Sequence, residues 1–203
     1  FLALLGWHPK KDREIISDEE MVGEFSFDRV QKGGAIFNPE KLDWLNAHYL
    51  KELSEDEFVS FMSVRLPGSW LSDEKKLKRV LAIERERFRR PADLEGEISF
   101  FFQLPEYDAA LLVDELERET VVKNLLAVKL ILESVPDDSF AAAVLERDMA
   151  LLAEREGKKA VFWPLRVALS GLSKSPGPFL VAEALGKVES MRRIGIAIDK
   201  LSP

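Results

Sequence analysis

A chain of 203 residues that is 46% hydrophobic and 32% charged can bury a core of its own and reads as a globular protein. The absence of cysteine excludes disulfides and thiolate metal sites, and two histidines far apart argue against a histidine zinc site. The net charge of −7 argues against a general nucleic-acid coat, and no window reaches the roughly 18 apolar residues of a membrane span.

Charge is nonetheless uneven. Eight basic residues lie between Lys75 and Arg90 against Glu84 and Glu86, and eight more between Arg155 and Arg193 against three glutamates. The intervening stretch Glu106–Glu119 is acidic. Exposed charges are screened within about 8–10 Å, so two basic segments can favour a polyanion locally despite an acidic total. The opening FLALLGW is too short and too poor in basic residues for a signal peptide; it reads as the middle of a helix, the chain starting inside a larger protein. With no targeting signal, a cytoplasmic location is expected.

Helical signals dominate in chain order. Ser17-Asp18-Glu19-Glu20 is a capping-box start. Phe25 and Phe27 alternate with polar residues before Arg29-Val30, and Gly33-Gly34 breaks the chain. Asn38-Pro39 caps a helix with Leu42, Leu45, Tyr49 and Leu50 on one side and Trp44 and His48 on another. Ser54 opens a second capping box, whose buried stripe is predicted to be Phe58, Phe61 and Met62. After the Leu66-Pro67-Gly68 turn, Ser72-Asp73 starts a basic helix predicted to reach Phe88.

Pro91 ends that helix, and Gly96 and Pro105 punctuate the next stretch. Helical periodicity runs from Glu106 to Ser134 with a break near Glu119-Thr120, and again from Phe140 to the stop at Gly157. Pro164 is predicted at the first position of a short helix that Gly171 ends. The last helices cover Leu180–Leu185 and Val188–Leu201. The expected fold class is all-α, divided at Ser54 and Pro105.

The loop between Gly171 and Phe179 carries Ser173, Lys174, Ser175, Pro176, Gly177 and Pro178, with Arg166 close before it. Hydroxyls, cations and an aromatic on a proline-stiffened loop can hold an unstacked base by stacking and edge contacts. The same composition also suits an ordinary helix–loop–helix corner. Catalytic signatures are missing: there is no phosphate loop, dinucleotide fingerprint, metalloprotease helix or serine elbow. Adjacent carboxylates such as Glu19-Glu20 sit at helix starts, where the dipole favours them, and His8 and His48 read as packing residues.

These residues carry a resemblance. FLALLGWHPKKDREIISDEEMVGEF is similar to the segment after the second ATP-binding signature of bacterial glutamyl-tRNA synthetases. FSFDRVQKGGAIFNPEKLDWLNAHYLK resembles that family's stem-contact hallmark, and PLRVALSGLSKSPGPFLVAEALGKVESMRRI its closing block, departing at Ser170 and Pro178, where Thr and Leu are usual. The resemblance implies a stem-contact domain over 1–53 and two helical halves of an anticodon-binding domain over 54–104 and 105–203. It implies anticodon contacts at Arg87, Arg166, Ser175, Pro176, Pro178 and Phe179, and stem contacts at Trp44, Asn46, His48, Tyr49 and Lys51.

The implied partners are glutamate tRNA and an N-terminal catalytic domain that is absent here, the whole acting as a monomer. ATP and Mg would serve that domain; this stretch holds no cofactor of its own. The implied role of Arg87 is to accept the third anticodon base of glutamate tRNA, cytosine, and refuse the guanine of glutamine tRNA. The expectation requires Arg87 and Arg166 to converge, neither sealed in an internal ion pair. The rival reading is an all-α interaction module with no RNA partner.

Overall fold

The computed structural model describes residues 1–11, 13–85, 87–88 and 90–202. Glu86 and Arg89 of the first basic run therefore lie outside the described residues, as does Pro203 at the end of the last expected domain. Among the described residues the regular structure is helical, the exception being an isolated antiparallel bridge between Trp7 and Val30. The all-α expectation holds.

Local chemistry accounts for most boundaries. Helix α1 (Asp18–Glu24) starts at Ser17 and α3 (Glu55–Ser63) at Ser54, each with both hydrogen bonds of a capping box. Between them, α2 (Pro39–Glu52) is capped by Asn38, whose side chain accepts from the Lys41 N–H. Asp73 does the same for α4 (Glu74–Glu84), which stops four residues short of the predicted Phe88. Arg87 and Phe88 still turn back on it, both donating their N–H to the Glu84 carbonyl.

After α5 (Leu94–Phe102), the predicted long helix divides into α6 (Ala109–Val113) and α7 (Arg118–Ser134). The break comes earlier than Glu119, at Asp114, whose φ of 48° takes the chain out of the helix. Helices α8 (Ala142–Glu156), α9 (Lys158–Ser170), α10 (Pro178–Leu185) and α11 (Lys187–Leu201) complete the chain in close succession. Here Pro164 departs from expectation. It lies inside α9 rather than at its start, and the helix begins six residues earlier.

One continuous apolar core joins α2 through α11, from Leu50 through Phe58, Phe88 and Phe101 to Leu165 and Ile194. Two predicted stripe residues stay outside it: Phe61 is exposed beneath the Arg65 guanidinium at 4.1 Å, and Tyr49 is exposed. At the centre is Arg193, with no exposed surface. A buried cation costs several kcal/mol unless paired and hydrogen-bonded. Arg193 Nη1 donates to the carbonyls of Phe100 (2.7 Å) and Leu169 (2.6 Å), and Nε donates to Glu189 (2.6 Å). Those carbonyls belong to the last turns of α5 and α9, the negative ends of two helix dipoles. This clamp fixes where α9 ends and its loop departs.

Candidate nucleic-acid interface

Three neighbouring side chains after α4 are sorted by burial. Arg85 turns inward, donating to the Lys51 carbonyl at 2.9 Å and to the Leu53 carbonyl, which caps the end of α2. Phe88 is 1% exposed and anchors the turn in the core. Arg87, by contrast, keeps 47% of its side chain exposed and points into a cleft.

That cleft, of about 270 Å³, is walled by Glu84 and Arg87 from α4 and its turn, Gly96, Glu97 and Phe100 from α5, and Leu172, Lys174 and Ser175 from the loop after α9. Gly171 makes the loop possible. Its φ of +72° is a left-handed stop, and a Cβ there would lie 2.6 Å from Pro105 Cγ. Arg166 then braces the loop from behind, its Nη1 donating to the Ser175 carbonyl, to Ser175 Oγ at 3.2 Å and to the Pro176 carbonyl at 3.0 Å. Burial, and secondarily the like charge of Arg87, push the Arg166 guanidinium below its usual range. The two arginines are thus on one side of the molecule.

The expected site residues divide accordingly. Arg87 and Ser175 line the cleft, and Arg166 shapes it. Pro176 and Pro178 are buried, and half-buried Phe179 sets its ring edge-on to Phe162 at 5.2 Å, so these three fix the backbone path of the loop. The residues expected to meet the stem share α2. Trp44 stacks on His48 at 6.0 Å, and His48 meets the Tyr49 ring edge-on at 5.4 Å. Trp44, Tyr49 and Lys51 are exposed, whereas Asn46 and His48 are half-buried.

Glu84 was not anticipated. It is 2% exposed, and both carboxylate oxygens accept from Arg87 Nη1 at 3.2 Å. Burial and the neighbouring Glu97 push its carboxyl up to about 7, against the opposing pull of Arg87. Burial and Asp93 also raise Glu97. The sequence did hold a signal: Glu84 continues the buried stripe Leu77, Val80 and Leu81 at helical spacing. Among the described residues no group of three or more histidine and carboxylate side chains could hold a metal ion, and no helix is long and apolar enough to cross a membrane.

Residues 47–198 match the family model described as an anticodon binding domain. The glutamate–tRNA ligase of Clostridium novyi is 34% identical over 209 residues, covering 99% of this chain and 43% of the relative. That of Clostridium botulinum strain Eklund 17B is 35% identical over 207 residues, again with 99% and 42% coverage. The chain therefore spans less than half the length of these relatives. Among solved structures, a glutamate tRNA ligase of Elizabethkingia meningosepticum, in complex with its amino acid, superposes with a TM-score of 0.83 at 29% identity. The superposition covers 99% of this chain and 40% of that one. The chain belongs to the anticodon-binding-domain family and matches the C-terminal part of glutamate–tRNA ligases.

Proposed function

We propose that this chain is the tRNA-gripping part of a glutamate–tRNA ligase and that Arg87 reads the third anticodon base. The observation that carries the reading is the cleft shared by Arg87 and the loop residues Lys174 and Ser175, open to solvent and concave enough for one unstacked base. Cytosine presents N3 and O2 as acceptors on its pairing edge, whereas guanine presents N1–H and N2–H donors. A guanidinium has donors only. Set against N3 and O2 it satisfies cytosine, and at the N1–N2 edge of a guanine held in the same seat it leaves donor facing donor, a difference of about 1–3 kcal/mol for a well-formed contact.

On this reading the exposed aromatic face of α2 meets a stem of the tRNA, and residues 54–104 and 105–203 act as the two halves of the anticodon-binding unit. A separate catalytic domain in the rest of a monomeric, cytoplasmic ligase performs the aminoacylation. The chemistry that uses ATP and Mg is assigned to that domain, and no chemical step is assigned to the residues present here. The rival reading, an interaction module without RNA, draws on the exposed Leu126 and Leu130 of α7, which line an apolar cleft of about 700 Å³.

Binding of the two anticodon stem-loops, compared with each other at each of several salt concentrations, decides between them. The chain is expected to prefer the glutamate arm over the glutamine arm, with affinity falling as salt rises because phosphate contacts release counterions. Arg87→Gln should bring the two affinities together. Absence of salt-dependent binding, or a preference that Arg87→Gln leaves intact, would refute the reading.

A further inference from the structure

We infer that Glu84 is the positioning residue for base selection: its buried carboxylate holds one nitrogen of Arg87 and so aims the rest of the guanidinium into the cleft. This rests on the reading of Arg87 as the base-contacting residue, and goes beyond it by assigning what makes Arg87 selective.

The first argument is what stability alone would place at this position. Glu84 follows Leu77, Val80 and Leu81 on the buried face of α4 and is itself 2% exposed. A leucine or methionine would fill such a position at no electrostatic cost, whereas a buried carboxylate is costly even when paired. The charge thus has to be accounted for by what it does to its partner. Both oxygens converge on Nη1 of Arg87, at 3.2 Å each. Among the described residues Nη2 and Nε of Arg87 make no hydrogen bond, so two edges of the fork remain for a ligand.

The second argument concerns freedom. An unbraced arginine carries about 2 kcal/mol of rotamer entropy and grips any phosphate in reach, a contact that supplies affinity without selectivity. A guanidinium held by an anion is both oriented and partly neutralised, and it favours a ligand that matches its donors over one that merely carries charge. The other charged groups facing Glu84 are few. Glu97 approaches from α5 and Lys174 from the loop. On the helices flanking α4, Asp56 of α3 is engaged by Lys78, and Glu183 of α10 accepts from the Ala142 N–H at 2.7 Å.

Burial pushes the Glu84 carboxyl up to about 7, so acid neutralises the brace across that range and weakens its hold on Arg87. The 203-residue chain is titrated with the two anticodon arms, differing in cytosine or guanine at the third base, at fixed salt and at pH 6 and 8. The wild-type preference for cytosine should be several-fold greater at pH 8 than at pH 6. Glu84→Gln keeps the shape and loses the charge; its preference should be the same at both values and about tenfold below wild type at pH 8. A wild-type preference independent of pH, or a Glu84→Gln preference equal to wild type, would overturn the inference. Arg87→Gln separates the two levels: if it leaves the preference unchanged, the reading of Arg87 itself fails. If it abolishes the preference while Glu84→Gln does not, only the role of Glu84 falls. The wild-type pH comparison involves no substitution and stands even if Glu84→Gln lowers stability.

Discussion

The side-chain amide of Asn124 donates to the main-chain carbonyl of Ala160 at 3.0 Å, across the packed faces of α7 and α9. Ala160 lies four residues before Pro164, which has no N–H to give it and sits inside the helix. A polar residue 1% exposed in the core and a proline in mid-helix are therefore two halves of one arrangement. Asn124→Leu should cost about 1–3 kcal/mol by stranding a buried carbonyl. Pro164→Ala restores the helical donor, so the double variant should be more stable than the sum of the singles by about 1 kcal/mol or more in urea unfolding. Strict additivity would show that the carbonyl is not the shared element.

That pairing also marks where a sequence stops being legible. Caps at Ser17, Asn38 and Ser54 and the stop at Gly171 depend on residues within four positions of one another, and all were readable. Pro164 reads as a helix start from its neighbours alone, because the donor that compensates for it inside α9 lies forty residues earlier in the chain. Periodicity predicts Phe61 in the core, but helical spacing cannot tell which edge of an apolar stripe the partner helix covers. At the site, the approach of Arg87 to the loop after α9 was expected from the resemblance. The bracing role of Arg166 was not, because it exists only once Ser175 and Pro176 fold back over α9.

Acid should weaken the clamp at the core. Hydrogen bonds from Arg192, and then from Arg193, hold the Glu189 carboxyl at about 2, well below the usual carboxylate range. A carboxyl depressed in the folded state stabilises the fold above its unfolded value, near 4.5, and that contribution is lost as pH falls from there toward 2. With allowance for solvent, the loss should be of order 2 kcal/mol. Urea midpoints at pH 5 and pH 2.5 will measure it: the gap between wild type and Glu189→Gln should narrow markedly at the lower pH. An unchanged gap would mean that the ion pairs contribute nothing.

Gly171→Ala tests the corner from which the loop departs. The substitution forces an L side chain into the left-handed region and sets its Cβ 2.6 Å from Pro105 Cγ and 3.2 Å from the Pro105 carbonyl oxygen. Backbone strain and overlap together should cost about 2–4 kcal/mol. Both contacts belong to the segment joining α5 to α6, so the displacement should also move Leu172 and Lys174 relative to Arg87. A lower melting temperature with weaker binding of both anticodon arms is expected; a loss below about 0.5 kcal/mol would show that Pro105 yields freely.

Arg166→Met asks whether Arg166 touches the base or only shapes its seat. Its three hydrogen bonds from Nη1 all end on Ser175 and Pro176, groups of its own loop. Methionine keeps an apolar stem at this position of α9 and removes the donors, so stability should fall by only about 1–2 kcal/mol, as neighbouring carbonyls regain water. Without the brace, Lys174 and Ser175 are no longer held against the cleft. Binding of the glutamate and glutamine arms should weaken together, by about tenfold, while their ratio stays at the wild-type value because Glu84 and Arg87 are untouched. A base contact by Arg166 itself would give the opposite pattern, in which substituting one anticodon base cancels the effect of the mutation. A set of stem-loops varied at each of the three anticodon positions, titrated against both proteins at one salt concentration, distinguishes a brace from a reader.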